Sequence, residues 1–160
     1  MADIQLHPIS KSDRHWLKTL ARLHFGSGKM IVHGAVFSIA EEEGFIAMVD
    51  RKRVGAVTLK KDEESCEIVF LDALESREDI FTSLLEGAER WSRGCGCTRL
   101  IGTTTNDNTD ALCIYQQYGF HLSILRMDAV TASRKKKPEI PETGDNGISI
   151  RDELELELEL

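Results

Sequence analysis

From Glu153 to Leu160 the chain alternates Glu and Leu without a break. Successive side chains of a β-strand point to opposite faces, so a period of two predicts a strand with one leucine face and one glutamate face. Such a strand needs a sheet covered on one side. It therefore ties the end of the chain, from Ile148 to Leu160, to a core built elsewhere, with Leu154, Leu156 and Leu158 turned inward. The Lys-, Pro- and Gly-containing stretch from Lys135 to Gly147 reads as the connector that delivers it.

The remaining segments divide by period. Asp3 to Pro8 reads as an opening strand, and Ser10 to Asp13 supplies capping residues ahead of Trp16, Leu17, Leu20 and Leu23, a helix that stops near Gly26 to Gly28. A short extended piece, Met30 to Phe37, comes next. Gly44 to Val49, Val54 to Leu59 and Ser65 to Leu71 form an antiparallel meander. Ile80, Leu84, Leu85, Ala88 and Trp91 then mark a helix over Asp79 to Arg93, closed by Gly94-Cys95-Gly96. Thr98 to Thr103 is a strand, Thr109 to Tyr118 a helix and Phe120 to Met127 another strand. The expected fold is mixed α/β, a mostly antiparallel sheet with one parallel pair across the Asp79 helix. At 160 residues a single domain, 1–160, accounts for the chain, with parts at 3–72, 73–128 and 129–160.

Composition excludes several classes. The formal net charge is -7, and the one basic cluster, Arg134 to Lys137, is balanced by acid downstream, so nucleic acid is not an expected partner. No apolar run approaches the roughly 20 residues that span a bilayer, and the start carries no signal-peptide pattern, so a soluble cytoplasmic protein without a membrane partner is expected. Cys66, Cys95, Cys97 and Cys113 lack zinc-ligand spacing and the five histidines are scattered, so no metal is implied.

Three polar residues have the placement for proton transfer. Tyr115 lies on a helix between two expected strands, where a phenol can donate a proton. Glu67, mid-strand, can take a proton from an amine, and Asp72, at the end of the same strand, is its backup. Asn108 is placed to cap the helix beginning at Thr109.

The spacing Asn108-x-x-Ala111-x-x-x-Tyr115-x-x-x-Gly119-Phe120, set between two strands, resembles the fourth motif region of the GNAT superfamily of acyl-CoA N-acyltransferases. The likeness covers essentially the whole chain, from the Gly44-Phe-Ile-Ala hairpin through the Glu67 strand to the Thr-Thr-Asn-Asp segment. It implies a V-shaped cleft, with Tyr115 as thiolate acid and Asn106 and Asn108 near the cofactor arm. Phe25, His33, Phe37, Phe70 and Thr104 would line the substrate side.

One region departs from the family's pattern. The Q/R-x-x-G-x-G/A loop that cradles the coenzyme pyrophosphate falls, by gapless alignment, on Ser76 to Phe81. Asp79 and Phe81 stand at the two glycine positions, with Ser76 and Arg77 before them. A carboxylate there repels phosphate and a bulky side chain prevents close backbone approach, so affinity should drop by about a thousandfold. The resemblance then implies a GNAT-fold protein that has lost acetyl-CoA dependence. It would need no cofactor and would use the cleft on a small organic molecule by acid/base chemistry such as isomerisation, cyclisation or decarboxylation. The alternative is a working N-acetyltransferase using acetyl-CoA and a small-molecule amine. A third reading is a non-catalytic assembly module, with the alternating strand pairing in a homodimer.

Overall fold

The computed structural model describes residues 3–160. Strand β1 (Gln5–Pro8) leads through one 3-10 turn into helix α1 (Arg14–Phe25), whose Leu17, Leu20 and Ala21 fall on one buried face. Gly26 ends the helix with φ at 76°, the left-handed cap that glycine adopts without strain. Asp13, only 1% exposed, fixes the entry to the helix. Its carboxylate accepts hydrogen bonds from the Ser10 backbone N–H at 2.7 Å, the Ser10 hydroxyl at 2.8 Å and Arg53 Nε at 2.8 Å, and meets His7 Nε2 at 3.3 Å. Burial alone would push this carboxyl up. The donors more than offset it and hold the group at about 2.

The segment expected as one extended piece is instead a separate hairpin, β2 (Lys29–Val32) and β3 (Ala35–Ser38). His33 and Gly34, with φ at 51° and 76°, make its two-residue turn, and two successive positive φ values match the twist of the flanking strands. The predicted meander is present as β4 (Glu43–Val49), β5 (Lys52–Asp62) and β6 (Ser65–Ala73). Helix α2 (Glu78–Gly94) crosses over to β7 (Arg99–Thr105), α3 (Thr109–Tyr118) leads to β8 (His121–Arg126), and a short α4 (Ala129–Ser133) precedes β9 (Glu153–Glu159).

The main sheet has the order β1-β4-β5-β6-β7-β9-β8, antiparallel except for β6 and β7. The alternating strand β9 is inserted between β7 and β8, with neighbours on both sides. It is shorter than the predicted span because Ile148 to Asp152 is diverted. Asn106 Oδ1 accepts the backbone N–H groups of Arg151 and Asp152, and its amide donates to the Ser149 carbonyl. One sheet face packs on α2 and α3 through Leu84, Leu85, Ala88, Leu100, Tyr115 and Leu156. The other packs on α1 through Leu17, Leu20, Ile46, Ala56 and Phe70.

Two irregularities distinguish β6 from its neighbours. Its parallel ladder with β7 runs only from Ser65 opposite Arg99 to Ile68 opposite Gly102, whereas β6 itself continues to Ala73. On the other side, β5 pairs Leu59 with Ile68 and Thr58 with Phe70, leaving Val69 as a bulged residue. The bulge resets the alternation, so Glu67, Phe70 and Asp72 share the α1 side of the sheet. Replacement of Asp13 by Asn would leave Arg53 facing a neutral amide in a buried setting. The expected loss is about 3 kcal/mol of unfolding free energy in urea titration, and an unchanged midpoint would show that the buried carboxylate does not anchor α1.

Candidate active site

Beyond Ile68 and Gly102 the two parallel strands part, and the edge of β6 that faces β7 carries backbone groups without ladder partners from Val69 onward. The aromatic ring of Tyr115 lies beneath this fork. A methyl placed on Gly102 would come within 2.7 Å of Tyr115 Cε1 and 2.8 Å of Cζ, so the phenol end of the ring rests against the β7 backbone where only a glycine leaves room. Tyr115 is 4% exposed and meets Phe120 edge-on at 5.0 Å between ring centroids. Burial and then the Glu67 charge raise its pKa far above the ordinary phenol range, so the hydroxyl stays protonated. The neighbouring Tyr118 instead donates to Glu89 at 2.5 Å.

On the α1 side of the fork the glutamates of β9 join the site. Register places Glu155 opposite Thr103 and Glu153 opposite Thr105, on the same face as Glu67. His33, at the tip of the β2–β3 hairpin, reaches into this row. Its Nε2 lies 2.5 Å from Glu67 Oε1 and its Nδ1 lies 3.1 Å from Glu153 Oε1. Glu155 Oε2 lies 3.5 Å from His33 Nε2. Arg126 of β8 closes the row, at 3.3 Å from Glu153 and 2.7 Å from Glu155. The hydrogen bonds to Glu153 and then Glu67 outweigh partial burial and hold the His33 imidazole protonated up to about 9. Burial raises Glu153, but contact with His33 brings it below the ordinary carboxylate range.

The backup carboxylate has its own histidine. Asp72 Oδ2 is bonded to Nδ1 of His24, in the last turn of α1, and burial raises the Asp72 pKa despite that contact. Both cleft-side carboxylates of β6 are thus met by a histidine from the N-terminal part of the chain.

Other expected positions are distributed differently. Phe70 is 1% exposed and meets Phe25 edge-on at 5.5 Å, so it belongs to the α1 core and does not line an open cleft. Thr104 pairs with Leu154 and so projects to the α3 side. Its neighbour Thr103 holds the cleft position instead, 3.4 Å from Glu67 Oε1. Phe37 is half-buried on β3, away from the ladder of the main sheet. Asn108 caps α3, its Oδ1 accepting the Ala111 N–H at 3.1 Å. Asn106, expected near the cofactor arm, has its carbonyl and amide engaged by the connector.

At the start of α2, Ser76 is exposed and Phe81 packs partly into the main core. Arg77 donates to both carboxylate oxygens of Asp79, at 3.1 and 2.5 Å, and Asp79 Oδ1 accepts the Ile80 N–H at 3.0 Å. The salt bridge to Arg77 holds Asp79 below its ordinary value. Two shallow grooves, of about 190 and 410 Å³, flank this end of α2 and are lined by Glu78, Asp79, Thr82 and Glu86, with Ile114, Gln117 and Tyr118 on the α3 side. Among the described residues no group of His, Cys, Asp and Glu is arranged to hold a metal ion, and no helix is long and apolar enough to cross a membrane.

Residues 14–120 match the model of the Acetyltransferase (GNAT) family. The uncharacterized protein YxbD of Bacillus subtilis (strain 168) is 41% identical over 154 residues, covering 96% of this chain and 97% of that protein. The uncharacterized protein YdhI of the same strain is 34% identical over 148 residues, 92% of each. Among solved structures, the IAA acetyltransferase from Bacillus cereus ATCC 14579 superimposes with a TM-score of 0.78 at 23% identity, covering 99% of this chain and 100% of that one. A GNAT family acetyltransferase from Elizabethkingia anophelis, with acetyl-CoA bound, gives 0.74 at 22% identity and 98% of each chain.

The Gly102 contact is directly testable. Gly102→Ala should cost about 1–3 kcal/mol by overpacking and shift the aromatic NMR signals of Tyr115. Gly94→Ala, where nothing lies within 4 Å of the added methyl, should stay within about 0.5 kcal/mol of the parent. Equal effects at the two positions would contradict a close-packed ring beneath the fork.

Proposed function

This chain belongs to the acetyltransferase (GNAT) family, and we propose that it transfers an acyl group from an acyl-CoA to the amine of a small molecule. The observation that carries the reading is the fork, where the unpaired limb of β6 faces the cleft above the protonated phenol of Tyr115. An extended amide-containing arm can add to that limb as a strand adds to a sheet edge. The match to the acetyltransferase (GNAT) family model, with the fold shared with solved acetyltransferases, supports this reading over one in which acyl-CoA dependence has been lost.

Each residue then has a defined task. Glu67 accepts a proton from the ammonium of the substrate, which frees the nitrogen lone pair for attack. Backbone N–H groups of the β6 limb, fixed by the Val69 bulge, are suited to the negative charge that develops on the acyl oxygen. Tyr115, on the other side of the fork, supplies the proton that the departing sulfur takes up. The bound acyl-CoA would contribute the activated acyl group. Asp72, paired with His24, lies farther along the same limb and serves to shape the cleft wall.

The pyrophosphate end fits less well. Asp79 accepts the Ile80 N–H that an incoming phosphate would otherwise use, and the adjoining grooves bear Glu78 and Glu86. This observation favours weak coenzyme affinity, and it keeps a second reading in view, a cleft that handles a small organic molecule without an acyl carrier. Isothermal titration with acetyl-CoA separates the two. The acyltransferase reading predicts saturable binding with Kd on the order of 0.1–1 mM, tightened about tenfold by Asp79→Gly. Absence of heat at millimolar acetyl-CoA for both proteins would contradict it in favour of the carrier-free reading.

A further inference from the structure

The hydrogen bonds to Glu67 are one-sided. Oε1 receives His33 Nε2 at 2.5 Å and the Thr103 hydroxyl at 3.4 Å, whereas among the described residues no group bonds Oε2. We propose that His33 is a positioning residue that holds the Glu67 carboxylate by one oxygen and leaves the other turned to the incoming amine. The inference rests on the acyltransferase reading and adds to it a residue that touches neither substrate nor acyl donor.

The support around His33 is what a positioning role requires. Both ring nitrogens face carboxylate oxygens, so both carry hydrogen and the ring is an imidazolium bridging β6 and β9. Its own backbone N–H donates to Glu153 Oε2 at 3.4 Å. The charged groups that face it are Glu67 from β6, Glu153 and Glu155 from β9, and Arg126 from β8, which holds the two β9 glutamates in place. From the opposite side, Lys136 Nζ donates to the Gly34 carbonyl at 2.7 Å and Lys137 Nζ to the Lys29 carbonyl at 2.9 Å. The hairpin tip is therefore fixed from both sides, and the imidazolium takes its orientation from Glu153 before it meets Glu67.

This arrangement depends on pH. While His33 is protonated, it donates to Glu67 and holds the carboxylate oriented. When the ring loses a proton it can no longer donate to Glu67 and Glu153 together, and the orientation is lost. The folded ring keeps its proton up to about 9, against 6.5 for a free histidine, so the effect persists through neutral pH and fades as pH rises through about 9.

The experiment compares acyl transfer to a panel of primary amines by the parent protein, His33→Gln and Glu153→Gln, as kcat/KM from about pH 6.5 to about pH 10. Taking the ratio of parent to variant cancels the ionisation of the substrate. The parent should exceed His33→Gln by about tenfold at neutral pH, and the ratio should fall towards one above about pH 9. Glu153→Gln should move the same change to lower pH, in step with the His33 imidazole resonance followed by NMR. If His33→Gln fails to fold, Glu153→Gln still gives both readouts. A ratio that does not vary with pH, or an imidazole that titrates near the free-histidine value of 6.5 in the parent, would overturn the positioning role while leaving acyl transfer intact. A parent protein that acylates none of the amines would overturn the reading beneath it and this role together.

Discussion

The separation of β6 from β7 after Ile68 and Gly102 is the constraint on which the rest of the molecule depends. Sheet strands ordinarily satisfy their backbone groups from both sides, so a limb from Val69 to Ala73 paired on one side alone needs a reason to stay open. The reason is structural on both flanks. The Val69 bulge bends β6 against β5, and β9 takes up the other edge of β7, so β7 cannot follow β6. Gly102 sits at the parting point, and its missing side chain admits the Tyr115 ring beneath the backbone.

The same geometry explains why the charged residues of the site come from distant parts of the sequence. β9 contributes Leu156 to the core on one face and Glu153 and Glu155 to the cleft side on the other. Those two glutamates are 5% and 6% exposed, which would be unfavourable for unpaired carboxylates. Arg126 and the His33 imidazolium supply the opposite charges, so the β2–β3 hairpin and the last strand are joined through the side chain that also meets Glu67. The ionic row is both a fastening for that hairpin and the setting of the proposed base.

Much of the architecture is legible in the sequence. Helical spacing from Ile80 to Trp91 and alternation from Glu153 onward are signals of local period, and they locate α2 and β9 closely. The Tyr115 spacing places that residue at the fork. Parity and partnership are not written locally. The glutamates of β9 read as a solvent face because alternation distinguishes two faces without saying what covers the second. Phe70 reads as a cleft residue, and the Val69 bulge does set it on the Glu67 face of β6, but nothing local shows that α1 covers it there. Thr104 reads the same way because only its pairing with Leu154 shows that it lies on the α3 side. The one local signal for the hairpin, His33-Gly34, is a two-residue turn in which histidine stands where asparagine is commoner, and so it reads as extended chain. Asn106 reads as available because its partners, Ser149 and Arg151, lie far along the chain.

The proposed chemistry is tested most directly by mass spectrometry of the products after incubation of the purified protein with saturating acetyl-CoA and a mixed set of primary amines. At least one amine should gain a single acetyl group, with an equal amount of free CoA released, and Glu67→Gln should slow this by roughly a hundredfold. A folded protein that leaves every amine and the acetyl-CoA unchanged would contradict acyl transfer at the fork.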